Sequence, residues 1–317
     1  MKSRRGDLLP ALAFLAPNFL GFLVFTAGPL IYSLCVSFSD WNVAQPGVFH
    51  WVGFGNFLDL FKDANFHTYF VNTVYLMLGI PFSIFGSLML AILLSQKLKG
   101  LVVYRTLFYL PSFTSGVALM ILWKALFNPD FGPIDYVINS VNHFLHISGK
   151  APTWLLSTHN LLGLDVEKVG FNAKELGLGA RDALIIMGIW TGIGGNNMLL
   201  YLAALTNVPP DLYEAAELDG ASKWDSFRHV TWPMIAPTTF FIVVMSVIGG
   251  FQAGFDQARV MTQGGPAGTT TTMSYYIYQK AFEEFQMGYA SAVSWLLFLI
   301  IFVMTVINWR LGNREAD

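Results

Sequence analysis

The polar residues inside the apolar stretches of this chain are few, and their types limit what they could do. "TGIGGNNM" sets Asn196 and Asn197 side by side in one stretch, and "GGFQAGFDQ" brings Gln252, Asp256 and Gln257 to the end of another. Side-chain amides donate and accept hydrogen bonds at once. Together with the rings of Trp190, Phe251 and Phe255, they suit a sugar, whose C–H faces stack on aromatics while its hydroxyls bond to amides. Hydrogen bonding between helices accounts for the asparagines equally well, and Asp256 also fits a simple boundary of its stretch. His143 and His146 are three apart and could share a metal, but no third ligand stands near them, so no metal site is expected.

A second constellation lies between residues 209 and 233. Asp211, Glu214, Glu217, Asp219 and Asp225 face only Lys223 and Arg228, a balance of −3. "PPDLYEAAELDG" opens with proline and an acid, continues in helix formers and stops at Gly220, suited to a left-handed C-terminal cap. "ASKWDSFRHV" restarts with Ser222 as N-cap and spaces Trp224, Phe227 and Val230 as one apolar stripe. Two short helices meeting at a glycine resemble a DNA-reading helix-turn-helix, but a DNA reader needs positive charge to neutralise phosphates. The acidic balance excludes nucleic acid. What remains is an acidic knob whose use is to dock into a partner.

These groups are positioned by an apolar framework. Over half of the 317 residues are hydrophobic (54%) and only 12% are charged, a balance that soluble domains rarely show. Six runs free of Asp, Glu, Lys and Arg cover residues 8–39, 64–96, 106–123, 183–210, 229–255 and 285–309. A helix needs about 20 such residues to cross a bilayer. The expected fold is therefore all-α, with six transmembrane helices at about 8–39, 64–96, 103–127, 183–207, 233–256 and 286–309 in a single domain. The first run has a basic head, yet its 32 residues exceed the apolar core of a signal peptide, so it is expected to remain as a span. Residues 41–58 and 260–279, rich in glycine and proline ("GGPAGTTTT" in the second), are expected to be loops.

Lysine and arginine set the orientation. With the N-terminus inside, Lys2, Arg4, Arg5, Lys97, Lys99, Arg105, Lys223, Arg228, Arg310 and Arg314 lie in short cytoplasmic segments. The other eight are diluted over the long outer segments 40–63, 124–182 and 256–284. Both termini and the 209–233 loop are thus expected in the cytoplasm. In the outer segment 128–182, "PIDYVINSVNHFLHI" has helical apolar spacing and predicts an interfacial helix. Pro17, Pro29, Pro81, Pro111 and Pro237 interrupt the runs. "GIWTG" (Gly188, Gly192) and "GFQAG" (Gly250, Gly254) carry the small-xxx-small spacing of closely packed helices. The single cysteine, Cys35, forms no internal disulfide.

Glu214-Ala215-Ala216, three residues, Gly220, nine residues and Val230-Thr231-Trp232-Pro233 resemble the EAA loop, E-A-A-x3-G-x9-I-x-L-P, of permease subunits of binding-protein-dependent ABC importers. Val230 and Trp232 depart from it, apolar for apolar. Residues 255–301, with "MTQGGP" and "MGYASA", and the N-terminal "LAPNFLGFLVFTAGPLIYSL" are similar to the sugar-type group, which handles maltose or glycerol phosphate. The outer part 150–182 has no counterpart in that resemblance. The resemblance implies a membrane subunit without catalysis or cofactor, in a heterodimer with a second permease, served by two ATPase subunits that bind ATP and Mg and by an extracytoplasmic solute-binding protein. It assigns Glu214, Ala215, Ala216, Gly220 and Pro233 to ATPase coupling. In keeping with it, the chain holds no G-x-x-x-x-G-K-[ST] to cradle ATP phosphates. An ion-coupled secondary transporter would need a carboxylate within the spans, and a membrane enzyme a cluster of His, Asp or Glu; neither pattern is present. A neutral mono-, di- or oligosaccharide is the expected solute, with glycerol phosphate or another polyol as the alternative.

Overall fold

A computed structural model describes residues 8–45, 49–96, 99–146, 150–165 and 170–312. Lys2, Arg4, Arg5, Lys97 and Arg314 of the charge pattern, and Pro46 and Gly47 of the first loop, lie outside the described residues. Within them the chain is all helical, with four isolated bridges and no strand. The N-terminal run is α1 (Leu8–Phe22), a π turn and α2 (Gly28–Val36), followed by α3 (Gly55–Lys62). Next come α4 (Ala64–Leu76), α5 (Gly79–Ser95), α6 (Leu101–Phe113), α7 (Gly116–Leu126) and α8 (Pro133–Phe144). The second half holds α9 (Ala180–Ile193), α10 (Asn196–Thr206), α11 (Pro210–Leu218), α12 (Lys223–Ser226), α13 (Trp232–Gln252), α14 (Met273–Tyr278) and α15 (Met287–Gly312).

Among the described residues five helical stretches are long and apolar enough to cross a membrane: Leu12–Val36, Ala64–Ser95, Ala180–Thr206, Lys223–Gln252 and Met287–Arg310. The third apolar run differs from a straight span. It is the pair α6 and α7, bent by 97° at the residues between them, and gives a sixth crossing if the pair is taken as one. Pro111, inside α6, supplies no N–H, and Thr114 and Ser115 are extended, ending one helix before the next begins. Of the other prolines, Pro17 and Pro237 lie inside helices, and Pro29 follows directly on the π turn within the continuous stretch Leu12–Val36. The two glycine-rich segments are not pure loop: the first ends in α3, and the second contains a π turn (Gln257–Thr262) and α14.

The chain forms two compact units. One comprises residues 1–63 and 277–300. Its loop is closed by side chains: Asn56 donates to the Ser37 and Ser39 carbonyls (2.9 and 2.7 Å), Tyr289 to Asp63 (2.8 Å) and Trp295 to Ser33 (3.1 Å). The other, residues 64–276 and 301–317, has two apolar clusters. Leu88, Ala91 and Leu94 of α5 meet Met198, Tyr201 and Leu202 of α10 and Ile235 and Ile242 of α13. Met120 and Trp123 of α7 meet Phe127, Trp154 and, on α9, Ala183, Leu184 and Met187.

The outer part 150–182 folds around buried polar groups. Asn160, fully buried, brackets Leu164 with its side chain (2.9 and 2.8 Å), and its backbone bonds Glu175 and Gly177. Asp182 accepts from Tyr75 Oη (2.6 Å), Gly179 N (3.1 Å) and Leu161 N (3.2 Å), so one carboxylate caps α9 and holds the loop to α4. Arg181, also buried, lays its guanidinium over the Tyr75 ring at 5.2 Å.

Candidate functional site

The 209–233 loop is built by local rules. Pro210 starts α11 in its first turn. The helix ends where the Gly220 N–H bonds the Glu217 carbonyl (3.0 Å) and the Ala221 N–H bonds the Ala216 carbonyl (2.9 Å). This paired closure needs a left-handed residue, and Gly220 has φ +75°. Ser222 then caps α12: its hydroxyl accepts from Asp225 N (3.3 Å) while the Asp225 carboxylate accepts from Ser222 N (3.1 Å). A π turn at Phe227–Thr231 leads into α13, with Pro233 in the first turn. Tyr213 and Thr231 share a hydroxyl hydrogen bond of 2.9 Å that ties the two legs together.

The knob presents a mixed surface. Glu214, Ala216 and Gly220 do not enter either core cluster, and Ala215 lies on the outside of α11. Leu218 is 90% and Trp224 66% exposed. Trp224 stacks on Phe227 (5.5 Å, 26°), which in turn meets Trp232 (6.4 Å). Phe227 packs on the α5–α10–α13 cluster. The aromatic stripe thus anchors at one end and stays open at the other.

A cleft lies between α4, α5, α9 and α13. Thr73, Ser83, Ser246, Gln257 and Thr272 bring hydroxyls and an amide to it, Leu76, Met77, Ile80, Leu184 and Ile185 bring apolar surface, and among the described residues no charged one lines it. The small residues shape it. A side chain at Gly192 would meet Ser83 directly, one at Gly250 would meet Ile80 and Met77 (2.8 and 2.9 Å), and one at Gly254 would meet Thr272. A Cβ at Gly188, in contrast, would stand in open space.

Of the amides named in the sequence, Gln257 lines this cleft; Trp190, Asn196, Asn197, Phe251, Gln252 and Phe255 are not among its lining residues, although all stand on or beside the same elements. Asn196, at the start of α10, is exposed and accepts from Tyr109 Oη (3.1 Å). Asn197 is half-buried and Gln252 exposed. Trp190 is half exposed and meets Trp123 edge to face at 5.5 Å. Phe251 is buried and stacks on Phe70 (6.2 Å), while Phe255 meets Tyr275 (6.1 Å) and lies under the Arg259 guanidinium. The hydroxyls of Thr73, Ser83, Ser246 and Thr272 carried no sequence signal of their own. The glycines in "GIWTG" and "GFQAG" marked the place. Among the described residues no group of three or more His, Cys, Asp or Glu could hold a metal.

An all-helical chain with five or six membrane-length helices and, within its larger unit, a polar-lined cleft is a polytopic membrane protein of the transporter kind. Residues 9–314 match the family described as binding-protein-dependent transport system inner membrane component, and the chain belongs to that family. It is 34% identical to the probable ABC transporter permease protein YesP of Bacillus subtilis, over 98% of this chain and 93% of the relative. To the lactose transport system permease protein LacF of Rhizobium radiobacter it is 33% identical, over 95% and 93%. The fold is similar to a chain in the crystal structure of a bacterial ABC transporter involved in the import of the acidic polysaccharide alginate, with TM-score 0.78, 24% identity and 99% and 98% coverage.

Proposed function

We propose that this chain is the permease subunit of an ABC importer for a neutral carbohydrate, and that the 209–233 loop couples it to a partner ATPase. The loop carries the reading. An acidic, rigidly closed knob with exposed Leu218 and Trp224 has the chemistry of a surface made to be covered. In this reading Glu214 pairs with a basic group of the ATPase, Ala215 and Ala216 allow close approach, Gly220 makes the turn, and Pro233 starts the helix that receives the motion. ATP and Mg belong to two ATPase subunits; the chain itself supplies transport rather than catalysis. A second permease and an extracytoplasmic solute-binding protein complete the assembly, with both termini and the loop in the cytoplasm.

The solute path is assigned to the cleft and the elements beside it. Trp190, Asn196, Asn197, Phe251, Gln252 and Phe255 are assigned to the path on those neighbouring elements, α9, α10, α13 and the residues just past it. The uncharged lining, five hydroxyl or amide groups among apolar residues, favours a neutral sugar over a uronate or glycerol phosphate, either of which would want a cation there.

The test uses the whole importer in proteoliposomes. Gly220→Asp is expected to abolish ATP-dependent uptake while leaving solute-binding protein association intact, and normal uptake would reject the coupling role. A thermal-shift panel on the partner binding protein, with neutral oligosaccharides, uronates and glycerol phosphate, reads the solute class. Stabilisation by an acidic ligand alone would overturn the neutral-sugar assignment.

A further inference from the structure

The strongest unassigned surface is the outward face of α8. Its inward side is fixed: Ile134 and Ile138 pack on the cluster of Trp123, Phe127, Ala183, Leu184 and Met187. Asp135, itself buried, accepts a hydrogen bond of 2.6 Å from the indole of buried Trp154. The one acid of the helix is thereby turned away from its outer surface. That surface presents Val137, Val141 and Phe144 (80% exposed), which lie along one side of a helix at 3.6 residues per turn, with Tyr136 (76% exposed) at its margin. Asn139 and His143 flank them.

We infer that α8 lies in the plane of the membrane, with Val137, Val141 and Phe144 inserted at the boundary between lipid headgroups and acyl chains. The occupant follows from the level at which the helix sits. Ala183, Leu184 and Met187, against which it packs, belong to the first two turns of the candidate span Ala180–Thr206. Trp123, on the same cluster, is in the last turn of α7, and only six residues separate α7 from α8. A helix beside the first turns of one crossing and just past the end of another is held at the edge of the hydrocarbon. There an apolar face with a tyrosine at its margin and no charge is stabilised by shallow burial, about 5–10 Å into the interface. In water the same face would be a contiguous apolar patch of the sort that soluble surfaces avoid. The inference rests on the membrane reading of α7 and α9, not on the identity of the solute.

Single cysteines test it in the complete chain, in vesicles of phosphatidylethanolamine and phosphatidylglycerol. Cys35→Ser removes the one native thiol; Phe144→Cys, His143→Cys and, on the span α13, Met245→Cys then each carry an environment-sensitive fluorophore. The label at 144 is expected to emit blue-shifted light and to lose most of its intensity to lipids bearing a doxyl group near the headgroup, with little loss to aqueous iodide. The label at 143 should show the reverse. Iodide quenching at 144 equal to that at 143 overturns the inference. So does protection at 144 that appears only when a second permease or a solute-binding protein is added, because it identifies a protein interface instead. A Met245 label quenched by iodide would point to failure of the membrane reading itself, and so separates the two.

Discussion

Gly220 and Gly194 do opposite work with the same missing side chain. Gly220 has φ +75° and nothing within 4 Å of where a Cβ would stand. Gly194, just past α9, has an ordinary φ of −92°, but a Cβ there would fall on the backbone carbonyl of Phe108. In the loop, glycine is required by the conformation of its own backbone; in the bundle it is required by the nearness of another helix. The loop therefore specifies a shape that can be presented to something else, whereas the bundle specifies an internal fit. Gly188 is a third case, with neither constraint.

The largest effect is expected at Gly194→Ala. The displaced atom is backbone, so α6 must move away from the α9–α10 junction, at a cost of about 2–3 kcal/mol. Thermal unfolding in detergent should show a large drop in Tm, and an unchanged Tm would mean that the two helices separate without cost. Gly220→Ala should cost about 1–2 kcal/mol, all of it local, and Gly220→Asn less, because asparagine tolerates the left-handed region. The decisive readout is the split: uptake falls more than stability does if the loop serves docking, and in proportion if it serves folding alone. Gly188→Ala is the smallest and of opposite sign, stabilising by up to about 1 kcal/mol as a helix-interior glycine is replaced. The added methyl enters the cleft, so the same variant should discriminate against larger solutes in a transport assay.

The same comparison explains which parts of the molecule were readable from the chain alone. The loop was legible because its determinants are local: a proline start, a glycine stop, Ser222 three residues before Asp225, all within one short segment. The spans were legible from composition. The break between α6 and α7 was not, because Pro111 looks like the prolines that α1 and α13 carry inside continuous helices. The outer loop was opaque for another reason. Asp182 is satisfied by Leu161, Gly179 and Tyr75, the last of them 107 residues away in sequence, and no spacing rule announces such a partner. The cleft hydroxyls were hidden likewise: Thr73, Ser83 and Thr272 are unremarkable within their runs and meet only through the packing of α4, α5 and the segment before α14.

The shape of α10 has a further mechanical meaning. Its eleven residues make a rod about 16 Å long. One end abuts the Phe108 carbonyl through Gly194, and the other stops three residues short of α11. If α10 turned about that contact together with the α5 and α13 residues it packs on, a tilt of about 10° would sweep the far end through about 3 Å. That is near half a helical turn, enough to shift side-chain ridges out of one set of grooves toward the next.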